Sequence, residues 1–165
     1  MSTLRVVVLM GGPDAEREIS IQSGTAVANA LNQTSRYSVS STCIDRVTVK
    51  ELKQMQADVF FPVLHGPYGE GGPLQELLEE TGVPFVGSGS IAARKAMDKA
   101  TTKEIATALC IQTPPWSMLR DGEQCNINAP LVLKPTNDGS SIDLEICKTN
   151  KEVASARVKL HANRS

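Results

Sequence analysis

Leu4 to Met10 is a short apolar run, unbroken from Val6, that ends in Gly11-Gly12-Pro13. An apolar segment of that length with a glycine turn behind it is the pattern of a strand buried on both faces. A helical pattern follows, with Ile19, Ala26, Val27, Ala30 and Leu31 at helical spacing and Asp14 placed to cap its start. Val39–Ile44 reads as a second strand. Thr48–Gln56 reads as a short helix, opened by Thr48 with Glu51 three residues on. Val59–Leu64 is a third apolar run. Pro73 then begins a helix striped by Leu74, Leu77 and Leu78, Gly82 ends it, and Val83-Pro84-Phe85-Val86 begins a fourth strand. Strands and helices alternating at this spacing make parallel βαβ units, so the predicted fold class is α/β with an open parallel sheet. Ligands of such sheets bind beyond the carboxyl ends of the strands, where both the Gly11-Gly12 turn and His65 fall.

Past Gly87-Ser88-Gly89 the texture changes. A helix with Ile105 and Leu109 spans Lys99 to Cys110, and Thr113-Pro114-Pro115 breaks it. Leu131–Lys134 reads as a strand, Pro135–Ser141 as a polar glycine-containing loop, Ile142–Cys147 as another strand, and a final helix starts near Asn150. This β-loop-β pattern belongs to an α+β unit. The boundary falls near residue 95, giving domains 1–95 and 96–165. The second, of about 70 residues, is small to stand alone.

Charge narrows the function classes. Among 165 residues, 17 Lys and Arg face 18 Asp and Glu, for a net charge of -1. That balance leaves no electrostatic footprint for nucleic acid or an anionic membrane. Three Phe, two Tyr and one Trp argue against a base-stacking surface. No apolar run approaches the ~20 residues of a bilayer span. The run after Arg5 is also too short for a signal segment, so the expected location is the cytoplasm. The four cysteines, Cys43, Cys110, Cys125 and Cys147, form no CxxC pair and lie far from His65 and His161 in sequence. Free, mostly buried thiols are expected, not a zinc cluster.

Several short patterns carry chemistry. Gly87-Ser88-Gly89-Ser90-Ile91-Ala92 matches G-x-G-x-x-A, but it follows the fourth strand and lacks an acidic residue ~20 positions on, so a tight turn into a helix explains it. Lys134-Pro135-Thr136-Asn137-Asp138-Gly139-Ser140-Ser141 is more informative. A cation, backbone N–H groups and hydroxyls in one loop are the groups that hold a polyphosphate. It is not a Walker A loop, and a solvated hairpin has the same composition. His65 either contacts a ligand or satisfies backbone carbonyls. Glu16 and Glu18 complement the dipole of the first helix without any further role. Lys99, beside Asp98, reads equally as a solvated helix residue.

Taken together, five ordered segments resemble the D-alanine–D-alanine ligases of the ATP-grasp superfamily. They are Val8–Ser20 around Gly11-Gly12 and Glu16, Leu64–Gln75 around His65, Gly82–Gly89, Met97-Asp98-Lys99, and Lys134 through Ser141. The resemblance implies a preATP-grasp, Rossmann-like substrate-binding domain followed by an incomplete first ATP-grasp subdomain. It implies ATP-dependent joining of two D-alanines for peptidoglycan. ATP phosphorylates the carboxylate of the first, and the amine of the second attacks that acyl phosphate. In that reading Glu16 holds the ammonium of the first D-alanine and His65 lines the same site. Lys99, Lys134, Gly139, Ser140 and Ser141 hold ATP, and Ser140 links its loop to Glu16. The resemblance also implies a homodimer through the N-terminal domain, and Mg²⁺ whose ligands lie in the half of the family's architecture beyond Ser165.

This chain departs from the family twice within the matched segments. Where the family reads Ser-Ser-Val-Gly, this chain has Ser140-Ser141-Ile142-Asp143, and where it reads Glu-Asp-Gly, this chain has Glu70-Gly71-Gly72. Without the second half, the 165 residues alone are expected not to catalyse ligation. Two other readings are a non-catalytic module that binds D-alanine or nucleotide, which Asp143 favours, and an ATP-grasp ligase with a different second substrate.

Overall fold

The computed structural model describes residues 3–120, 122–137, 139 and 143–162. The chain divides into two compact units, Met1–Met97 and Asp98–Ser165.

The first unit contains β1 (Leu4–Gly11), α1 (Arg17–Asn32), β2 (Tyr37–Ile44), α2 (Val49–Gln54), β3 (Val59–Pro62), α3 (Gly66–Glu70), α4 (Pro73–Thr81) and α5 (Ser90–Met97). Its sheet is parallel, in the order β2-β1-β3, with Val6 opposite both Val39 and Val59. The central strand β1 is buried from Val6 through Gly11 with no alternation, as a strand covered on both faces must be. β2 lies at the edge and is mostly exposed or half-buried. The core gathers Val7, Leu9, Ile44, Leu52, Phe60, Leu64, Leu74 and Leu78 with their neighbours. The capping box that opens α2 forms: the Glu51 N–H donates to Thr48 Oγ1, and the Thr48 N–H donates to the Glu51 carboxylate.

Three local expectations change. The fourth strand shrinks to one parallel bridge, Phe60 to Phe85. Pro84 lends its carbonyl to the Phe60 N–H at 3.0 Å but has no N–H to extend a ladder. The third strand stops at Pro62, two residues short of the expected Leu64, although the Val63 N–H still donates to the Leu9 carbonyl at 2.8 Å. Asp14 does not cap α1, whose N-cap is Glu16; the Asp14 carboxylate instead accepts the Tyr68 N–H at 2.8 Å. Gly66–Glu70 is a helical turn, which its glycines and proline conceal in the sequence.

The second unit contains α6 (Lys99–Ala108), β4 (Leu131–Leu133), β5 (Glu145–Cys147) and α7 (Asn150–Ala162). β4 and β5 pair antiparallel, with Val132 opposite Ile146. One face of this ribbon packs on α7 through Cys147, Val153 and Ala156, with Leu131 and Leu133 against them. The other face leaves Val132 and Ile146 exposed. Lys134 lies just past β4, and β5 starts three residues later than expected. Asp143 has φ +52°, a left-handed turn that no strand accommodates, and Ile142 lies outside the described residues. α6 ends at Ala108, before the proline pair, because Cys110 turns the chain at φ +56°. The thiols are more exposed than expected: only Cys147 is buried. No helix among the described residues is long and apolar enough to cross a membrane.

Candidate functional site

At the carboxyl end of the first unit's sheet, the loop after β1 and the segment after β3 are tied together by polar groups. The turn Gly11-Gly12 has φ of +94° and +97°, and a Cβ on Gly11 would meet the Ile44 carbonyl at 2.7 Å. Glycine is required there by both conformation and space. From the first turns of α1, Ser20 Oγ accepts the Gly11 N–H at 2.8 Å and donates to the Val63 carbonyl at 2.6 Å. The Arg17 guanidinium donates to the carbonyls of Gly12 (2.7 Å) and Ile44 (3.1 Å) and pairs with Asp45. Asp14 reaches across to Tyr68, so closely that a Cβ on Gly66 would meet the Asp14 Cβ at 2.7 Å. Tyr68 in turn accepts the Val47 N–H on its hydroxyl at 3.1 Å, and Arg46 lies over its ring.

Two predicted residues sit in this frame. Glu16, half-buried, is the N-cap of α1, but its side chain makes no capping bond. His65 is the N-cap of α3. Its Nδ1 lies 3.3 Å from Glu70 Oε1, and Glu70 Oε2 accepts the Gly66 N–H at 3.2 Å. Its Nε2 is buried and has no hydrogen-bond partner among the described residues. With Nδ1–H given to Glu70, a neutral ring presents an acceptor at Nε2, and a protonated ring a second donor. A buried polar atom without a partner is costly in a finished interior and ordinary where a ligand completes the set. Sequence reasoning assigned no role to Glu70, Ser20 or Arg17. Their spacing of five residues from His65 and of one and four from Glu16 was the available signal.

The G-x-G-x-x-A segment has a definite structural occupation. The Glu79 carboxylate accepts both the N–H (2.9 Å) and the hydroxyl (2.7 Å) of Ser90 at the start of α5, and these bonds hold its pKa below the usual carboxylate range. The chain's own carboxylate takes the place at that helix start that a phosphate takes in a dinucleotide site.

In the second unit, Asp98 caps α6 by accepting the Thr101 N–H at 2.6 Å, which lowers its pKa. Next to it, the Lys99 N–H and Nζ both donate to the Thr136 carbonyl, at 3.0 and 3.1 Å. Lys99 is thereby fastened to the loop that Lys134 begins. Lys134 is exposed and Gly139 half-buried. Lys99 at the start of α6 and Lys134 at the start of the loop supply two cations, a charge that suits an anionic phosphate chain. Ser140 and Ser141 lie outside the described residues, and with them the Ser140–Glu16 link. No three metal-binding side chains converge among the described residues, so the Mg²⁺ implied by the resemblance has no ligand set there.

The family model for the D-ala D-ala ligase N-terminus matches residues 46–88. The D-alanine–D-alanine ligases of Aquifex aeolicus and Geobacter sulfurreducens are each 40% identical to this chain, over 91% and 94% of it. These matches take in 53% and 51% of those proteins, so the chain spans about half the length of the curated relatives it matches. Among solved structures, the ligase from Bacillus anthracis superposes with a TM-score of 0.78 at 30% identity, over 96% of this chain and 54% of that one. The ligase from Coxiella burnetii gives 0.81 at 26% identity, over 97% and 61%. In sequence and in fold, this chain is similar to the D-alanine–D-alanine ligases over about half of their length.

Proposed function

We propose that this chain supplies the D-alanine-binding residues and one phosphate-binding loop of an ATP-dependent D-alanine–D-alanine ligase. The observation that carries the reading is His65. Its Nδ1 is held by Glu70 while its buried Nε2 has no partner among the described residues, next to the loop that bears Glu16. A carboxylate and an imidazole at the carboxyl ends of adjacent parallel strands suit a small zwitterion. Glu16 takes the ammonium by a charge-assisted bond, and Nε2 of His65 completes the contact. Lys99, Lys134 and Gly139, with Ser140 and Ser141, take the phosphates of ATP and stabilise the charge that develops on the transferred phosphoryl group. The acyl phosphate of the first D-alanine is then open to the amine of the second, which displaces phosphate and forms the dipeptide used in peptidoglycan.

A metal ion would neutralise charge at the phosphates, and no ligand set for it converges among the described residues. The 165 residues alone therefore do not turn over. Their further assignment is to the cytoplasm, as a homodimer through the first unit, with residues 1–95 binding substrate and 96–165 forming an incomplete ATP-grasp subdomain. The test is ADP release by the folded chain with Mg-ATP, with and without D-alanine, beside a calorimetric titration of each ligand. D-alanine binding without ADP release is the expected result. D-alanine-dependent ADP release overturns the assignment of the metal ligands, and no heat with either ligand overturns the reading of the site.

A further inference from the structure

One hydroxyl on α1 ties together the strand ends that lead to Glu16 and to His65. Ser20 is fully buried, one turn into α1. Its backbone N–H donates to the Glu16 carbonyl at 3.0 Å, while Oγ accepts from Gly11 and donates to Val63. The side chain thus joins α1 to the end of β1 and to the segment two residues before His65, while the helix's own backbone bond links Ser20 to Glu16. Serine is a poor helix former and a poor core residue unless both its donor and its acceptor are used. Here both are. Arg17 is also close to Glu16, but it is partly exposed and its bonds reach only the ends of β1 and β2. Only Ser20 of the two reaches the β3 side, where His65 sits.

The geometry points to Ser20 as the positioning residue that sets Glu16 and His65 relative to each other. The inference rests on the D-alanine reading for its functional consequence and on the hydrogen bonds for its structural one. Ser20→Ala leaves the Gly11 N–H and the Val63 carbonyl facing an apolar methyl, and the two strand ends lose their common anchor. Ser20→Cys keeps a weak donor and acceptor at similar size and gives an intermediate effect.

The experiment uses the full chain, with folding checked by circular dichroism. Two quantities are read: the nitrogen-15 and proton signals of the His65 ring, and the Kd for D-alanine. Thr48→Ala is the control, because it removes the α2 capping box in the same unit. Ser20→Ala is expected to shift the ring signals and raise the Kd about tenfold, with Thr48→Ala changing neither. If Ser20→Ala does not fold, Ser20→Cys carries the same test with a smaller displacement. Unshifted ring signals overturn the inference whatever the Kd does. Shifted signals with an unchanged Kd overturn it as well. Shifted signals in a protein with no affinity for D-alanine leave Ser20 in its role and overturn the substrate reading instead.

Discussion

The two units hold their functional groups by different means. In the first, Glu16 and His65 extend from a parallel sheet whose central strand is buried from Val6 onward, and Phe60, Leu9, Leu52, Leu74 and Leu78 are fully enclosed. Polar side chains from α1 then lock the strand ends. In the second, Lys99, Lys134 and Gly139 are carried by a helix that buries no residue and a ribbon of two three-residue strands. Its buried core is Cys147, Val153 and Ala156. The lesson is that the groups proposed to bind substrate and those proposed to bind phosphate differ in how much packed structure stands behind them. A core that small stabilises little unaided.

The largest expected effect tests that difference directly. Phe60→Ala empties a fully buried position beside β1 and is expected to destabilise the first unit by about 3–5 kcal/mol. Val153→Ala, in the small core, is expected to cost under about 2 kcal/mol. Native-state amide exchange reads both, with β1 amides of the parent chain exchanging far more slowly than those of β4 and β5. Equal protection in the two units would break the comparison.

The next two predictions use the positions where this chain departs from the family pattern, one in each unit. Gly71 follows α3 at an unstrained φ of -89°, but a Cβ there would stand 2.3 Å from the Pro67 carbonyl oxygen. Restoring the family's residue by Gly71→Asp therefore forces the backbone of α3 to shift, at about 1–3 kcal/mol, and disturbs the segment that orients Glu70. Asp143 is the reverse case. At φ +52° it occupies the left-handed region that glycine enters freely, so the turn suits the family's glycine although the residue is aspartate. Asp143→Gly is expected to stabilise the second unit by about 1 kcal/mol and to remove a negative charge from the candidate phosphate loop. Urea titrations of the two variants check both signs. If ATP binds only after Asp143→Gly, the side chain is what keeps the loop from nucleotide.

Much of the first unit was legible because burial and periodicity coincide there. Val6–Met10 could only be a covered strand, and Thr48 with Glu51 specified its capping box outright. The fourth strand was misread because apolar content at Val83–Val86 says nothing about the missing N–H of Pro84. α3 stayed hidden because Gly66, Pro67 and Gly69 are turn residues by composition, and its bond to Asp14, distant in sequence, exists only in the folded chain. Glu16, His65, Lys99 and Lys134 were identified through motif resemblance, since their types alone fit bland surface roles. Ser20 was out of reach for a different reason. Its function is to join three segments, and that relation exists only in the folded chain.

The smallest expected effect separates the units by pH. Asp58, just before β3, accepts three bonds from Arg5 at the start of β1: from its N–H (2.8 Å), Nε (3.1 Å) and Nη2 (2.8 Å). These hold the Asp58 carboxyl down at about 2, below its ordinary 3.8. A carboxylate depressed on folding contributes stability above its unfolded pKa and loses it as pH falls through the folded value. The first unit should therefore weaken between about pH 4 and pH 2, and Asp58→Asn should flatten that limb. In the second unit the sign reverses. Lys159 pairs with Glu145 at 2.5 Å, and this bond raises the lysine above its ordinary 10.5. Its contribution is complete below 10.5 and is lost as pH rises through the folded value, so Lys159→Gln should lower the second unit's stability below pH 10.5 and flatten its alkaline limb. Both pairs are solvent-exposed, so added salt should shrink both limbs together, whereas an acid limb indifferent to salt and to Asp58→Asn would assign it to other carboxylates.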